Sequence, residues 1–237
     1  MKVISWNMHK KKGNWSYLLD VLDPDIALLQ ETSRFDDEIE SACIAEATVK
    51  KNLRNSIYVK KYKFERLRML RDGSKALISV RVSDTPIGSI FFLGVYGNLD
   101  YAPVLDITLL GFISMWVTIL RNQHDAENIL ISGDFNMDRR MDDNPTGTKF
   151  SRAGERRHNT IFDGILNLGF SNCMKKFHPE PVQTYRAVRG DYPWELDHMF
   201  ATKELYKTLD SIDVISDEKV VSLSDHSPIC ANFSLGL

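Results

Sequence analysis

The chain has 237 residues, 43% hydrophobic and 26% charged, which suits one domain with a sizeable core and excludes wholesale disorder. Lys and Arg number 30 against 32 Asp and Glu, a formal net charge of −2, so overall charge does not mark a nucleic-acid binder and any such attraction must come from a local basic face. Three widely spaced cysteines, Cys43, Cys173 and Cys230, fit neither a disulfide framework nor a zinc site and read as free thiols in a reducing, cytoplasmic setting, Cys230 in a buried strand.

In chain order, Val3 to Trp6 is a short apolar run ending at Asn7 and reads as a buried strand. The start MKVISWNMHKKKG lacks the long apolar run of a secretion signal. Trp15, Leu18, Leu19 and Leu22 recur at helical spacing, and Asp23-Pro24 ends that helix. Ile26 to Leu29 is a second buried strand, ending at Gln30-Glu31, so the chain opens as strand, helix, strand. Asp36 to Lys51 is expected to be helical. Ser56 to Val59, Phe64 to Leu70, Ala76 to Val82 and Ser89 to Val95 are expected strands, with Asp72-Gly73 as a hairpin turn.

Pro103 to Arg121 reads as a long helix with Pro103 in its first turn. Its apolar stretch from Leu105 to Leu120 is broken by Asp106, Thr108, Gly111 and Ser114, which suits a buried helix and not a membrane span. Asn128 to Ser132 is a strand running into Gly133-Asp134-Phe135-Asn136. Asp138 to Asn159 reads as a long polar and basic loop beside a site. Thr160 to Leu168 and Lys203 to Tyr206 are short helices. Glu195 to Phe200, Ser211 to Ile215 and Pro228 to Leu235 are strands. No internal repeat is visible, and residues 1–237 read as a single domain.

Five of these strands carry an acid or amide at or near an end: Asn7, Glu31, Asp134 with Asn136, Asp197, and Asp225 with His226. Each alone could be turn chemistry or a solvated loop acid. Taken in order, WNM at 6–8, LLQET at 28–32, SGDFNMD at 132–138, ELDHMF at 195–200 and LSDHSPI at 223–229 resemble the signature segments of the endonuclease/exonuclease/phosphatase superfamily, which includes deoxyribonucleases and abasic-site endonucleases. The resemblance runs from Trp6 to Phe233. It implies an α/β (α+β) fold, a sandwich of two mixed β-sheets flanked by helices. It also implies a metal-dependent phosphoester hydrolase acting without a covalent intermediate.

By that resemblance, Glu31 is the principal metal ligand, with Asn7 and Asp225 nearby. Carboxylate and amide oxygens suit a hard ion such as Mg²⁺, with Mn²⁺ as a substitute. Asp134 orients and deprotonates the attacking water, Asn136 sits beside it, His226 contacts the phosphate, and Asp197 fixes the His226 tautomer; Asp134 or His226 is the base. His198 falls on the opposite face of its strand from Asp197. Where the family often carries a histidine after its central strand, this chain reads GVYGN at 94–98, and Tyr96 and Asn98 are the candidates.

Lys10, Arg139, Arg152 and Arg156 would flank such a site as a basic rim, and Trp194 could stack a base or wall a pocket. The leading expectation is a nuclease with a nucleic-acid substrate. The alternatives are a phosphatase or phosphodiesterase for a small phosphoester or lipid headgroup, and a catalytically silent binding module.

Overall fold

Side-chain alternation along the strands sorts the chain into four layers in a computed structural model, which describes residues 1–11, 13–33, 44–50, 53–68, 77–97, 104–143, 157–186 and 192–236. The strands are β1 (Lys2–Asn7), β2 (Ile26–Gln30), β3 (Ile44–Lys50), β4 (Leu53–Val59), β5 (Phe64–Leu67), β6 (Leu77–Thr85), β7 (Gly88–Tyr96), β8 (Asn128–Asp134), β9 (Phe170–Asn172), β10 (Asp197–Thr202), β11 (Leu209–Val214) and β12 (Ile229–Phe233). They form two six-stranded sheets, in the orders β11-β12-β1-β2-β4-β3 and β5-β6-β7-β8-β10-β9. Each sheet holds one parallel pair, β1 with β2 and β7 with β8, and the remaining pairs are antiparallel.

A parallel pair needs a crossover, and a helix supplies it in both sheets. Helix α1 (Gly13–Ser16), continued by a π-helical turn over Tyr17–Leu22, joins β1 to β2, and α2 (Val104–His124) joins β7 to β8. Helix α3 (Arg157–Asn167) lies beside α2, while α4 (Lys203–Lys207) and α5 (Glu218–Leu223) are short.

Neighbouring residues of the central strands face opposite layers, which is why their sequences read as unbroken apolar runs. Val3, Ile26, Leu28, Ile57, Val80, Phe92, Leu130 and Met199 fill the layer between the sheets. Their neighbours Phe91, Leu93, Ile129 and Ile131 face α2 and α3, against Ile113, Trp116, Val117 and Phe162. Ile4, Trp6, Ala27 and Leu29 face α1 and α5, against Trp15, Leu18 and Val220.

Within the central layer the side chains change character along each strand. Val3 gives way to Ser5 and Asn7, Leu28 to Gln30, Leu130 to Ser132 and Asp134, and Met199 to Asp197, all buried. The apolar end builds the core, and the polar end becomes a site.

The structure corrects several expectations. Asp36 to Lys51 is not a continuous helix, because β3 occupies Ile44–Lys50. Its Ala and Glu residues favour a helix locally, but β4 offers an open edge, and pairing from Ile44↔Tyr58 to Lys50↔Leu53 overrides that preference. Residues 34–43 lie outside the described part, as do Asp72-Gly73 and Pro103. Cys230 is only partly buried. Strand β9 and helix α5 are additional; both are too short to show a period.

Gly133 in β8 has φ +151°, and a Cβ there would lie 1.9 Å from the Val95 carbonyl oxygen of β7. Gly133→Ala must therefore push apart the parallel pair that carries Asp134. The expected loss of stability is at least about 2 kcal/mol in urea denaturation; an unchanged midpoint would show that β7 and β8 tolerate the separation.

Candidate active site

Asn7 ends β1, Glu31 follows β2 directly, Tyr96 ends β7, and Asp134 ends β8. All four lie at the carboxyl ends of the two parallel pairs, the end of an open α/β sheet at which ligands usually bind. Asp197 begins β10 and stands opposite Asp134 in the antiparallel register. Asp225 and His226 lie in the turn between α5 and β12. The sequence-expected acids and amides thus meet in one place.

Asp134 is fully enclosed. Its Oδ2 accepts from Asn7 Nδ2 at 2.9 Å and Asn136 Nδ2 at 3.1 Å, and its Oδ1 accepts from the Asn136 backbone N–H at 2.8 Å. Asn136 also donates to the Gly97 carbonyl at 2.5 Å. His226 Nδ1 lies 2.8 Å from Asp197 Oδ2, and its Nε2 lies 3.8 Å from Asp134 Oδ2. The imidazole therefore has a carboxylate at each nitrogen. Tyr185 packs against its ring with centroids 4.8 Å apart. Tyr96 donates its hydroxyl proton to Glu31 Oε1 at 2.7 Å, and Lys10 Nζ is 3.5 Å from Glu31 Oε2.

Burial pushes the Asp134 carboxyl up to about 7; the positive charge of His226 opposes this and the Asp197 charge adds to it. Burial alone would lower His226, but the charges of Asp197 and Asp134 outweigh it and hold the imidazole at about 9. The Tyr96 hydroxyl is raised above the usual tyrosine range by burial and by the charges of Glu31, Asp134 and Asp225. These shifts tie Glu31, Asp134, Asp197, Asp225 and His226 into one electrostatic cluster.

Neighbouring groups, not singled out among the candidate site residues, hold the cluster in place. Ser224 donates its hydroxyl to the Asn7 carbonyl at 2.8 Å and accepts the His226 N–H at 3.0 Å. Arg186 donates to Ser224 O at 2.6 Å and Ser227 Oγ at 2.5 Å, bracing the turn that carries Asp225 and His226. Thr184 Oγ1 accepts the N–H groups of Leu196 and Asp197 at 2.9 and 3.0 Å. Among the described residues, seven non-glycine residues have left-handed φ, and four of them, His9, Lys10, Glu31 and Asn136, lie here. Strained backbone is thus concentrated at the site.

The rim is partly tied down. Arg140 pairs with Asp138 and lies over the rings of Tyr192 and Trp194 at 5.1 and 5.9 Å. Trp194 is buried and packs on Tyr192. Arg139 turns to α3, 2.8 Å from Asp163 Oδ1, with its guanidinium over Phe162. His198 faces away, donating its Nε2–H to the Met137 carbonyl at 2.8 Å and packing on Phe135, Phe162 and Phe200. Asn98, Arg152 and Arg156 lie outside the described residues.

The donor chemistry fits a divalent cation. Asp197 Oδ1 and Asp225 Oδ1 are shielded from solvent and accept no hydrogen bond, leaving unsatisfied acceptors that a cation would complete. One atom each of Asp134, Asp197 and His226 lie within 4.8 Å of one another and could hold an ion. Their closest contact, His226 to Asp197, is a hydrogen bond, and Asp134 Oδ2 already accepts two amide protons. Among the described residues, no helix is long and apolar enough to cross a membrane.

Residues 4–226 match the model of the Endonuclease/Exonuclease/phosphatase family. No curated protein sequence matches the chain. Among solved structures, the endonuclease domain of TRAS1, a telomere-specific non-LTR retrotransposon, aligns with TM-score 0.71 and 20% identity over 98% of this chain and 97% of its own. A 3′ phosphatase from Neisseria, bound to a product DNA hairpin, aligns with TM-score 0.72 and 21% identity over 99% of both chains. An AP endonuclease from Archaeoglobus fulgidus aligns with TM-score 0.72 and 19% identity over 98% and 99%. These likenesses establish the sandwich of two mixed sheets.

The double pairing of His226 can be tested without substrate. In metal-free protein, Asp197→Asn removes an anion beside the ring and should lower the His226 pKa, read from the NMR shift of its Cε1 proton across a pH series. An unmoved titration would mean that Asp197 does not hold the proton on the ring.

Proposed function

Because the chain belongs to the endonuclease/exonuclease/phosphatase family, we propose that it is a nuclease, dependent on Mg²⁺ or Mn²⁺, that hydrolyses phosphodiester bonds by direct attack of water. The observation that carries this reading is Asp134, a buried carboxylate held by two amides beside an imidazole flanked by carboxylates. An imidazole with an anion at each nitrogen keeps both its protons, so His226 serves as a cationic donor to the phosphate and Asp134 as the base. Asn7 and Asn136 fix the direction in which Asp134 presents its oxygens to water. Asp197 fixes the ring plane of His226. Tyr96 steadies the Glu31 carboxylate through their 2.7 Å hydrogen bond.

Glu31, Asn7 and Asp225 would hold the ion, because Asp134 and His226 are engaged with each other and with the amides. Held there, a divalent ion supplies neutralisation of phosphate charge and stabilisation of the leaving oxygen. For a polymeric substrate, support comes from the half-exposed Lys10 beside Glu31, whose positive charge suits a phosphodiester backbone. The structural relatives named as endonucleases, or bound to DNA, point the same way.

The test is hydrolysis of DNA (single-stranded, duplex and abasic duplex), RNA, a 3′-phosphorylated oligonucleotide, an inositol phosphate and a generic phosphodiester, with Mg²⁺, Mn²⁺ or EDTA. A nuclease cleaves at least one polymer, is silenced by EDTA, and loses about 10²-fold or more in rate in Asp134→Ala and Glu31→Ala. Cleavage of the small esters alone would replace the nuclease with a small-phosphoester hydrolase. Activity unaffected by either substitution would remove this cluster from the chemistry.

A further inference from the structure

His9 takes no part in the mechanism above, yet it sits against the cluster. It lies two residues beyond Asn7, in a left-handed turn with φ 45°, followed by Lys10 at φ 58°. That turn is fastened to two of the residues assigned to the ion. The His9 backbone N–H donates to Asn7 Oδ1 at 3.1 Å, and the Lys10 N–H donates to the Glu31 carbonyl at 2.9 Å. The imidazole reaches the third: His9 Nδ1 is 3.1 Å from Asp225 Oδ1.

That contact is at ion-pair distance and lacks the alignment of a hydrogen bond. Asp225 Oδ1 is shielded from solvent but accepts no aligned proton from any neighbour. An imidazolium paired with a carboxylate would turn its N–H toward the oxygen. Two such atoms at 3.1 Å are also spaced as adjacent ligands of one ion would be. Neighbouring donors around an octahedral ion, each at about 2.1 Å, lie about 3.0 Å apart.

We infer that His9 Nδ1 and Asp225 Oδ1 are adjacent ligands of the bound ion, giving a mixed nitrogen and oxygen centre that prefers Mn²⁺ to Mg²⁺. The chemical reason lies in the donor. Mg²⁺ favours oxygen and gains little from imidazole, whereas Mn²⁺ and the later divalent metals accept nitrogen readily. The half-exposed imidazole, with 52% of its side-chain surface open, can turn onto an ion without moving the sheets. The inference rests on the placement of the ion by Glu31, Asn7 and Asp225, and it narrows the choice between the two ions.

The test uses metal-free full-length protein and reads binding, not turnover. Mn²⁺ and Mg²⁺ affinities are measured by titration calorimetry for wild type, His9→Ala, His9→Gln and Glu31→Ala. Electron spin echo spectra of the Mn²⁺-loaded forms report nitrogen bound to the metal. Wild type should bind Mn²⁺ about 10-fold or more tightly than Mg²⁺ and show nitrogen modulation. His9→Ala and His9→Gln should each lose the modulation and most of the Mn²⁺ preference, with Mg²⁺ affinity changed less than about 2-fold.

Two results would overturn the idea in distinguishable ways. If wild type and both His9 variants bind both ions equally while Glu31→Ala binds neither, the ion site stands and His9 is no ligand. If Glu31→Ala binds as wild type does, the placement of the ion fails, and the inference fails with it.

Discussion

Asn7 and Asp134 end the first strand of one sheet and the central strand of the other, and the 2.9 Å hydrogen bond between their side chains crosses the buried layer that separates the sheets. A buried bond to a carboxylate is worth about 1.5–3 kcal/mol, and an unpartnered Asp134 would cost more. The geometry of the site follows from this bridge. It sets the orientation of Asp134, which places one oxygen near His226 Nε2, and Asp197 then holds the far side of that ring. Alternation puts His198 on the other face, where it packs among phenylalanines and takes no part.

Much of this was legible in the sequence because the chemistry sits at strand ends. An apolar run that stops at Asn7, Gln30-Glu31 or Asp134 announces both the strand and the polar residue that terminates it. Asp225 and His226 stood out as a pair before the last strand, and Tyr96 emerged from a segment lacking the familiar histidine. Supporting residues were harder to see. Ser224 reaches Asn7 across 217 positions of sequence, and Arg186 acts through carbonyl and hydroxyl oxygens that no spacing rule connects. His9 gave the same difficulty, since Asp225 explains it and lies at the other end of the chain. The fold was misread where local preference and pairing disagree, as in β3, whose alanines and glutamate suit a helix until β4 presents an edge.

The two sheets also share an arrangement that no repeated motif betrays. Each has a helix-linked parallel pair at its centre, β1 with β2 and β7 with β8, and each pair contributes one amide or phenol and one carboxylate at its carboxyl ends: Asn7 and Glu31 from the first, Tyr96 and Asp134 from the second. Electrostatic tension accumulates where these ends meet. Burial and the Asp197 charge raise Asp134, and the charges of Asp197, Asp134 and Asp225 raise the imidazole among them. The unsatisfied oxygens of Asp197 and Asp225 are the remainder of that tension, which a cation would relieve.

Strand β12, near the end of the described chain, pairs antiparallel with β1 at its start, and the Met1 amino group reaches the Phe233 carbonyl at 2.7 Å. The turn that precedes β12 carries Asp225 and His226, and Ser224 in the same turn grips Asn7. During synthesis the residues emerge far apart: Asn7 and Glu31 first, Asp225 and His226 more than 190 positions later. A growing polypeptide therefore holds half a hydrolytic centre until β12 clears the ribosome. The site is therefore a property of the finished fold, absent from any shorter stretch of the growing chain.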